Sequence, residues 1–525
     1  MKYKKLAVHS FLSIFFSALR KMLKAGGRHQ SQSNSTIQFH IKQNRRKKNI
    51  MQLAMIGLGR MGGNMAKRIA AAGHEVVGYD RSPESDRTVA SLEEMVAALT
   101  APRIVWVMVP AGEATDSTIN ELAELLEPGD MIIDGGNSRY TDDARHAAEL
   151  EPRGIHFMDC GVSGGVWGID RGYALMVGGS EEDFERARPI FEALKPEGDS
   201  GLVLAGPVGG GHFAKMVHNG IEYGDMQLIS EAYSLLKNRK GLDNDAMAVV
   251  FDEWNGGELD SFLIEITANI LRFRDEDGKP LLDKILDVAG QKGTGKWSAI
   301  AAMDENDPLT LITEAVYARL LSALYPERIK AARLYSGKLK VESGKLSDNA
   351  QLSTFNFQLS IEDVRQALYA AKLISYAQGF SLLRHASEHY GWDLDYGTIA
   401  RIWRKGCIIR SVFLQKITEA YRKDPDLENL LFDDFFHTKI QEALPAWRRI
   451  VAEGALSGVA LPAMSSALNY FDGLRTLYSA ANMIQAQRDY FGAHTYERTD
   501  RERGHFFHTN WTGEGGNTVS GTYSV

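Results

Sequence analysis

Cysteine is nearly missing: Cys160 and Cys407 are the only two in 525 residues. Two thiols cannot build a disulfide framework and match no metal-ligand spacing, so both are expected to be inert in a reducing compartment. Also missing is any apolar run near the roughly 20 residues that a membrane span requires. With 44% hydrophobic and 24% charged residues, the composition excludes a disordered chain, a collagen and a small stapled scaffold. Acidic residues are absent from residues 1–50, which hold twelve of the 60 Lys and Arg. The rest of the chain is therefore more acidic than the net charge of -7 indicates. That argues against nucleic acid as the main partner. The leader has a basic start, an apolar stretch from Phe11 to Leu19 and further bases, but no small-x-small cleavage site. A strand is expected immediately after Met51, so residues 1–50 are read as a disordered or untranslated segment.

What is present begins with a nucleotide signature. Leu53 to Ile56 is a short apolar run, followed by Gly57-Leu58-Gly59-Arg60-Met61-Gly62 and a helical pattern with Met65, Ile69 and Ala72 inward. The first glycine permits the turn, the second lets backbone approach a pyrophosphate, and the third lets the helix pack on the strand. The helix N-terminus then offers free N–H groups to phosphate. Glu75 to Asp80 reads as a second strand ending in an acid, placed where a ribose-binding carboxylate is needed. Asp80 favours NAD, because a carboxylate accepts from both ribose hydroxyls and repels the extra phosphate of NADP. Arg81 pulls the other way, since a guanidinium can pair with that phosphate, and NADP stays the close alternative. Strands over 103–110 and 131–134, with a helix at about 114–127 between them, indicate a doubly wound parallel sheet. Ligands bind at the carboxyl ends of such strands, where Val109, Pro110, Asn137 and Ser138 fall.

Three later clusters are richer than packing requires. Asp159 to Gly165, expected to follow a strand, carries Ser163, Gly164 and Gly165, which can bring backbone N–H groups near an anion. Read as a helix, Lys215, His218, Asn219, Glu222 and Tyr223 share one face. A solvated face would explain them, but Gly220 and Gly224 are poor choices for an exposed helix. A lysine buried there would lose proton affinity and could serve as a base. Gln291 to Trp297 places Lys292 and Thr294 among glycines, suited to a phosphate, without the Walker spacing.

These motifs, in this order, resemble the decarboxylating 6-phosphogluconate dehydrogenase family. The resemblance runs from Met51 to about residue 516 and includes Asn137 in its GGNS run, Ser163 to Gly165, Lys215 to Tyr223 and Lys292 to Trp297. Arg319, Leu468 to Asp472 and Arg488 to Tyr496 match as well. It implies conversion of 6-phospho-D-gluconate to D-ribulose 5-phosphate and CO2 with reduction of NAD(P), a step of the pentose phosphate pathway, without a metal. It assigns Lys215 as base and Glu222 as acid. Substrate contacts are implied at Asn137, Ser163, Gly164, Gly165, His218, Asn219, Tyr223, Lys292, Thr294 and Arg319. Arg488 and His494 are implied to reach the neighbouring subunit's site in a homodimer with shared active sites. Cofactor contacts are expected at Gly57, Leu58, Gly59, Arg60, Met61, Gly62, Asp80, Arg81, Ser82, Val109, Pro110 and Asn137. One departure stands out: NADP-using members commonly carry Asn-Arg-Thr where this chain has Asp80-Arg81-Ser82.

The expected fold is an α/β Rossmann-type domain over 51–208, a large all-α substrate and dimerisation domain over 209–485, and an extended tail over 486–525 that reaches the partner. Apolar repeats at helical spacing fill 310–335, 361–389, 396–421 and 462–489. Trp403, Phe413, Tyr470 and Phe471 are read as core. A cytoplasmic location is expected, with no nucleic acid or membrane partner. Two rivals are a related β-hydroxy acid dehydrogenase acting on another acid and a catalytically silent nucleotide-binding scaffold. The lysine and arginine cluster counts against the first, and retention of both Lys215 and Glu222 counts against the second.

Overall fold

A computed structural model describes residues 50–198, 200–335, 339–342, 345–348 and 359–513. Nearly all of the basic leader and the end of the tail lie outside the described residues. The first unit alternates strand and helix: β1 (Gln52–Ile56), α1 (Arg60–Ala71), β2 (Glu75–Tyr79), α2 (Leu92–Ala97), β3 (Ile104–Val107), α3 (Glu113–Leu125), β4 (Met131–Asp134), α4 (Tyr140–Leu150), β5 (His156–Ser163), β6 (Ala174–Gly178), α5 (Glu181–Leu194) and β7 (Leu202–Leu204). β3 and β4 are buried along their whole length, as strands covered by helices on both faces must be. Strand order is β2-β1-β3-β4-β5-β6-β7. The sheet is not wholly parallel, because β6 runs antiparallel to β5. That pairing also corrects the expected strand end: the ladder carries β5 through Asp159 to Ser163, so this cluster lies in the strand and only Gly164 and Gly165 follow it.

The chain then turns helical. α6 (Gly210–Asn238) runs through the middle of the second unit with most of its residues buried. Around it lie α7 (Asn244–Asn255), α8 (Phe262–Arg272), α9 (Thr294–Asp304) and α10 (Thr310–Ala323), and the chain continues through α11 (Tyr325–Tyr335) and a short hairpin, β8 (Leu339–Glu342) with β9 (Lys345–Asp348). There follow α12 (Ile361–Tyr390), α13 (Tyr396–Ile402), α14 (Leu414–Lys423), α15 (Asp434–Ser457), α16 (Pro462–Leu474) and α17 (Ala481–Gly492). Side-chain caps start several of these: Asp243 accepts from Ala246 N, Ser261 from Ile264 N, and Ser360 from Asp363 N. The repeat at 396–421 is two helices, because Gly406 takes φ +71° against Pro196 and Ala174, a turn that a helix cannot make. The 462–489 repeat is likewise broken between Leu474 and Ala481. Trp403, Phe413 and Phe471 are buried, and Tyr470 is packed against the same core. Among the described residues, no helix is long and apolar enough to cross a membrane.

Two devices join the sheet to the helices. Tyr140 on α4 meets Phe213 on α6 edge-on at 4.9 Å and Trp392 at 6.2 Å. α6 has no side-chain cap of its own, since it begins after Gly209. Asp159 of β5 supplies one, accepting from Gly209 N at 2.7 Å and His212 N at 2.6 Å. A buried carboxylate there also complements the positive end of the helix.

Candidate active site

A cleft of about 1310 Å³ lies between the carboxyl ends of β1–β5 and the helices that follow. At one end it is lined by the glycine turn, Asp80 and Arg81, and at the other by Lys215, Glu222, Tyr223, Lys292, Thr294 and Arg319. Asn137, Ser163, Gly164, Gly165 and Asn219 line it too, with Val109 and Pro110 along one wall.

The nucleotide end is built from α1 and β2. A Cβ at Gly62 would collide with the Gly57 carbonyl, so only glycine lets α1 come this close. A Cβ at Gly59 would meet nothing within 4 Å. The N-terminus of α1 has neither a side-chain cap nor an acidic residue in its first turn, so its N–H groups are left for an anion. Asp80 is held firmly: its Oδ2 accepts from Leu58 N at 2.7 Å and its Oδ1 from Ser82 N at 2.8 Å. Leu58 and Ser82 thus act through their backbone on Asp80. Each carboxylate oxygen keeps a further lone pair for a ribose hydroxyl. The open side of Gly59, the uncapped helix and the fixed carboxylate fit a nicotinamide dinucleotide.

At the other end, α6 presents Lys215, His218, Asn219, Glu222 and Tyr223 on one face. Gly161 of β5 packs against the Lys215 stem so closely that any Cβ would overlap it. Burial lowers the proton affinity of Lys215, with Glu222 and Cys407 opposing the shift. Burial raises that of Glu222, against the pull of Lys215 and Arg319. The two shifts favour a neutral amine beside a neutral acid. His218 is fully buried behind the cleft, with Nε2 3.4 Å from Ser163 Oγ and Nδ1 3.3 Å from Asn219 Oδ1. The Arg319 guanidinium stacks on the Tyr223 ring at 3.5 Å, and its Nη1 donates to Gly290 O at 3.3 Å. Thr294 opens α9 after Gly293, placing a second helix N-terminus beside Lys292 and Arg319.

Arg488 and His494 are not brought into this cleft; they lie on and just beyond α17. Arg488 Nη1 donates to Gln485 Oε1 at 3.0 Å. Asp489 between them is fully buried and clasps the returning chain, accepting from Thr509 N at 3.0 Å and Trp511 Nε1 at 2.9 Å. Cys407, expected to be inert, is buried near Lys215, and burial pushes its thiol up to about 12, which keeps it protonated. Sequence reasoning missed two contributors. Glu121 lines the nucleotide end, although its helical pattern reads as an ordinary solvated acid. In the first turn of α6, burial works against protonation of His212, but Asp143 at 2.8 Å and the nearby Asp159 carry it up to about 10.

Comparison with known proteins agrees with this geometry. Residues 52–197 match the family described as the NAD binding domain of 6-phosphogluconate dehydrogenase, and residues 211–511 match the 6-phosphogluconate dehydrogenase C-terminal domain. The chain is 50% identical over 492 residues to 6-phosphogluconate dehydrogenase, decarboxylating, of Cunninghamella elegans, covering 91% of this chain and 99% of that one. The human protein of the same description is 48% identical over 489 residues, covering 90% and 99%. Among solved structures, Plasmodium falciparum 6-phosphogluconate dehydrogenase superposes with a TM-score of 0.79 at 38% identity, covering 88% of this chain and 100% of that one. That protein is described in its apo form, with its cofactor NADP+ and with its substrate 6-phosphogluconate.

Proposed function

The chain belongs to the 6-phosphogluconate dehydrogenase family, and we propose that Lys215 and Glu222 are the base and acid of its reaction, with NAD as the preferred cofactor. The protein oxidatively decarboxylates 6-phospho-D-gluconate to D-ribulose 5-phosphate and CO2 while reducing a nicotinamide cofactor. The observation that carries the residue assignment is the pairing of opposite shifts on one buried helix face: an amine driven toward neutrality seven residues from an acid driven the same way.

The nicotinamide, when bound, accepts the hydride from carbon 3. Lys215 takes the proton of the 3-hydroxyl, leaving a ketone β to the carboxylate. The carbon–carbon bond to the carboxyl then breaks, its electron pair moves toward the ketone oxygen, and protonated Lys215 donates to that oxygen as charge develops. Glu222 delivers a proton to the carbon that lost CO2, which becomes carbon 1 of the product, while neutral Lys215 takes back the enol proton as the ketone re-forms. Lys292, Arg319 and the N-terminus of α9 suit the substrate phosphate, and Asn137, Ser163, Gly164, Gly165, Asn219 and Tyr223 suit its hydroxyls and carboxylate, while His218, buried behind them, positions Ser163 and Asn219. If the reactive form is neutral Lys215 with protonated Glu222, the rate falls as pH drops through the lysine's value and again as pH rises through the acid's. Glu222→Gln, which cannot ionise, is expected to lose the alkaline limb of the kcat profile while keeping the acid limb, and to turn over about 10²-fold more slowly. Retention of both limbs would assign the alkaline one to another group.

NAD preference is supported by the fixed Asp80 carboxylate facing the glycine turn. Initial rates with NAD and NADP in parallel test it. A higher kcat/KM with NAD is expected, and a higher value with NADP would refute it. A homodimer is supported by the apolar side chains left on and before α17, including Leu477 at 85% exposure, Tyr478 at 83% and Phe491 at 73%. A second copy covering them would bring Arg488 and His494 to its cleft. The two buried free cysteines suit a reducing cytoplasm.

A further inference from the structure

The nucleotide end of the cleft holds a charge that the glycine turn and Asp80 do not account for. Arg81, the residue best placed to pair with a ribose phosphate, is already engaged from the facing helix. Its Nη2 donates to Ser117 Oγ at 3.2 Å and lies 3.8 Å from Glu121 Oε1. Ser117 and Glu121 are one turn apart on α3, so both meet the same guanidinium. Glu121 and Arg81 also line the cleft together with Asp80.

We propose that Glu121 is a second determinant of cofactor selectivity: with Ser117 it holds the Arg81 guanidinium across the adenosine end and offsets its charge, so that the site takes a ribose diol and disfavours a ribose phosphate. The inference rests on the NAD reading above and extends it to a residue outside the turn. Asp80 cannot swing aside to admit a phosphate, because two backbone N–H groups hold its carboxylate. Arg81 would be the natural counter-charge, but its positive charge is met by Glu121. Arg60 on the glycine turn and Arg87, whose Nη1 donates to the Asp80 carbonyl at 3.4 Å, are further cations near this end. A phosphate monoester carries close to two negative charges at neutral pH. It would therefore meet two carboxylates, with Arg81 already paired to Glu121. An adenine and a neutral ribose meet no such opposition, and the guanidinium plane stays available for stacking.

Arg81 and Glu121 are each more than half exposed, so water and salt screen the effect. Calorimetry on the full chain, without substrate, gives the dissociation constants of NAD and NADP for the wild type, Glu121→Gln, Arg81→Ala and the double variant. Glu121→Gln is expected to lower the ratio of the NADP constant to the NAD constant about three- to tenfold, more at low than at high salt. In the Arg81→Ala background the same substitution is expected to shift the ratio less. A merely structural role for Glu121 would move both constants together and leave the ratio in place, which would overturn the proposal. An equal shift with and without Arg81 would overturn the part assigned to the guanidinium. The wild-type ratio is read separately: a value below one refutes the NAD preference itself, whatever Glu121 does.

Discussion

Lys215→Met is expected to lower kcat on 6-phosphogluconate by about 10² to 10⁴-fold, while the dissociation constant for the cofactor changes by less than about threefold. Methionine keeps the unbranched stem that packs on Gly161 and removes only the amine. Lys215 is 8% exposed, and its burial holds down its proton affinity, so the group lost is a better proton acceptor than an ordinary lysine. In the proposed mechanism the same amine serves the carbon–carbon cleavage, so its loss is expected to affect both chemical steps. The proposed cofactor site, the glycine turn and Asp80, lies at the far end of the cleft, so cofactor binding is expected to persist. Steady-state rates paired with a cofactor titration check this. A fall of less than tenfold would mean that another group takes the proton.

The second large effect concerns stability. Lys372 on α12 and Asp225 on α6 form a fully buried ion pair at 2.6 Å, one turn beyond Glu222. Burial raises the proton affinity of Asp225, and the Lys372 ammonium opposes that shift. The Tyr376 hydroxyl also opposes the shift, but less than the lysine does, so the carboxylate depends chiefly on Lys372. Lys372→Met would strand a buried charge and is expected to cost about 3–5 kcal/mol. Adding Asp225→Leu removes the stranded charge and is expected to recover much of that loss. Denaturant unfolding of wild type, single and double variants measures both. A single variant within about 1 kcal/mol of wild type would show that the pair is not load-sharing between α6 and α12.

Much of this site could be read from the sequence because its signals are local. The glycine turn, Asp80 after β2, and the face from Lys215 to Tyr223 each follow from spacing within one or two elements. What escaped depends on residues far apart in sequence. Glu121 reaches the cleft only because α3 follows β3, which pairs with β1 in the sheet order. Asp225 and Lys372 are 147 positions apart, and each alone reads as an ordinary helical charge. The antiparallel β6 could not be read from apolar runs, since a buried strand looks the same in either direction. The turn at Gly406 was hidden by an apolar repeat that continues on both sides of it. Asp159 looked like part of a glycine-rich ligand loop, whereas in the fold it caps the helix that carries Lys215.

The most direct test follows both products of one turnover. With 6-phosphogluconate labelled at its carboxyl carbon, labelled CO2 and reduced cofactor would be counted together in the wild type. One CO2 per reduced nicotinamide is the expected result, with both signals falling together in Lys215→Met. Reduced cofactor without CO2 would contradict the account and point to a dehydrogenase that stops at the keto acid. Neither product from a folded protein that binds cofactor would contradict the enzyme assignment altogether.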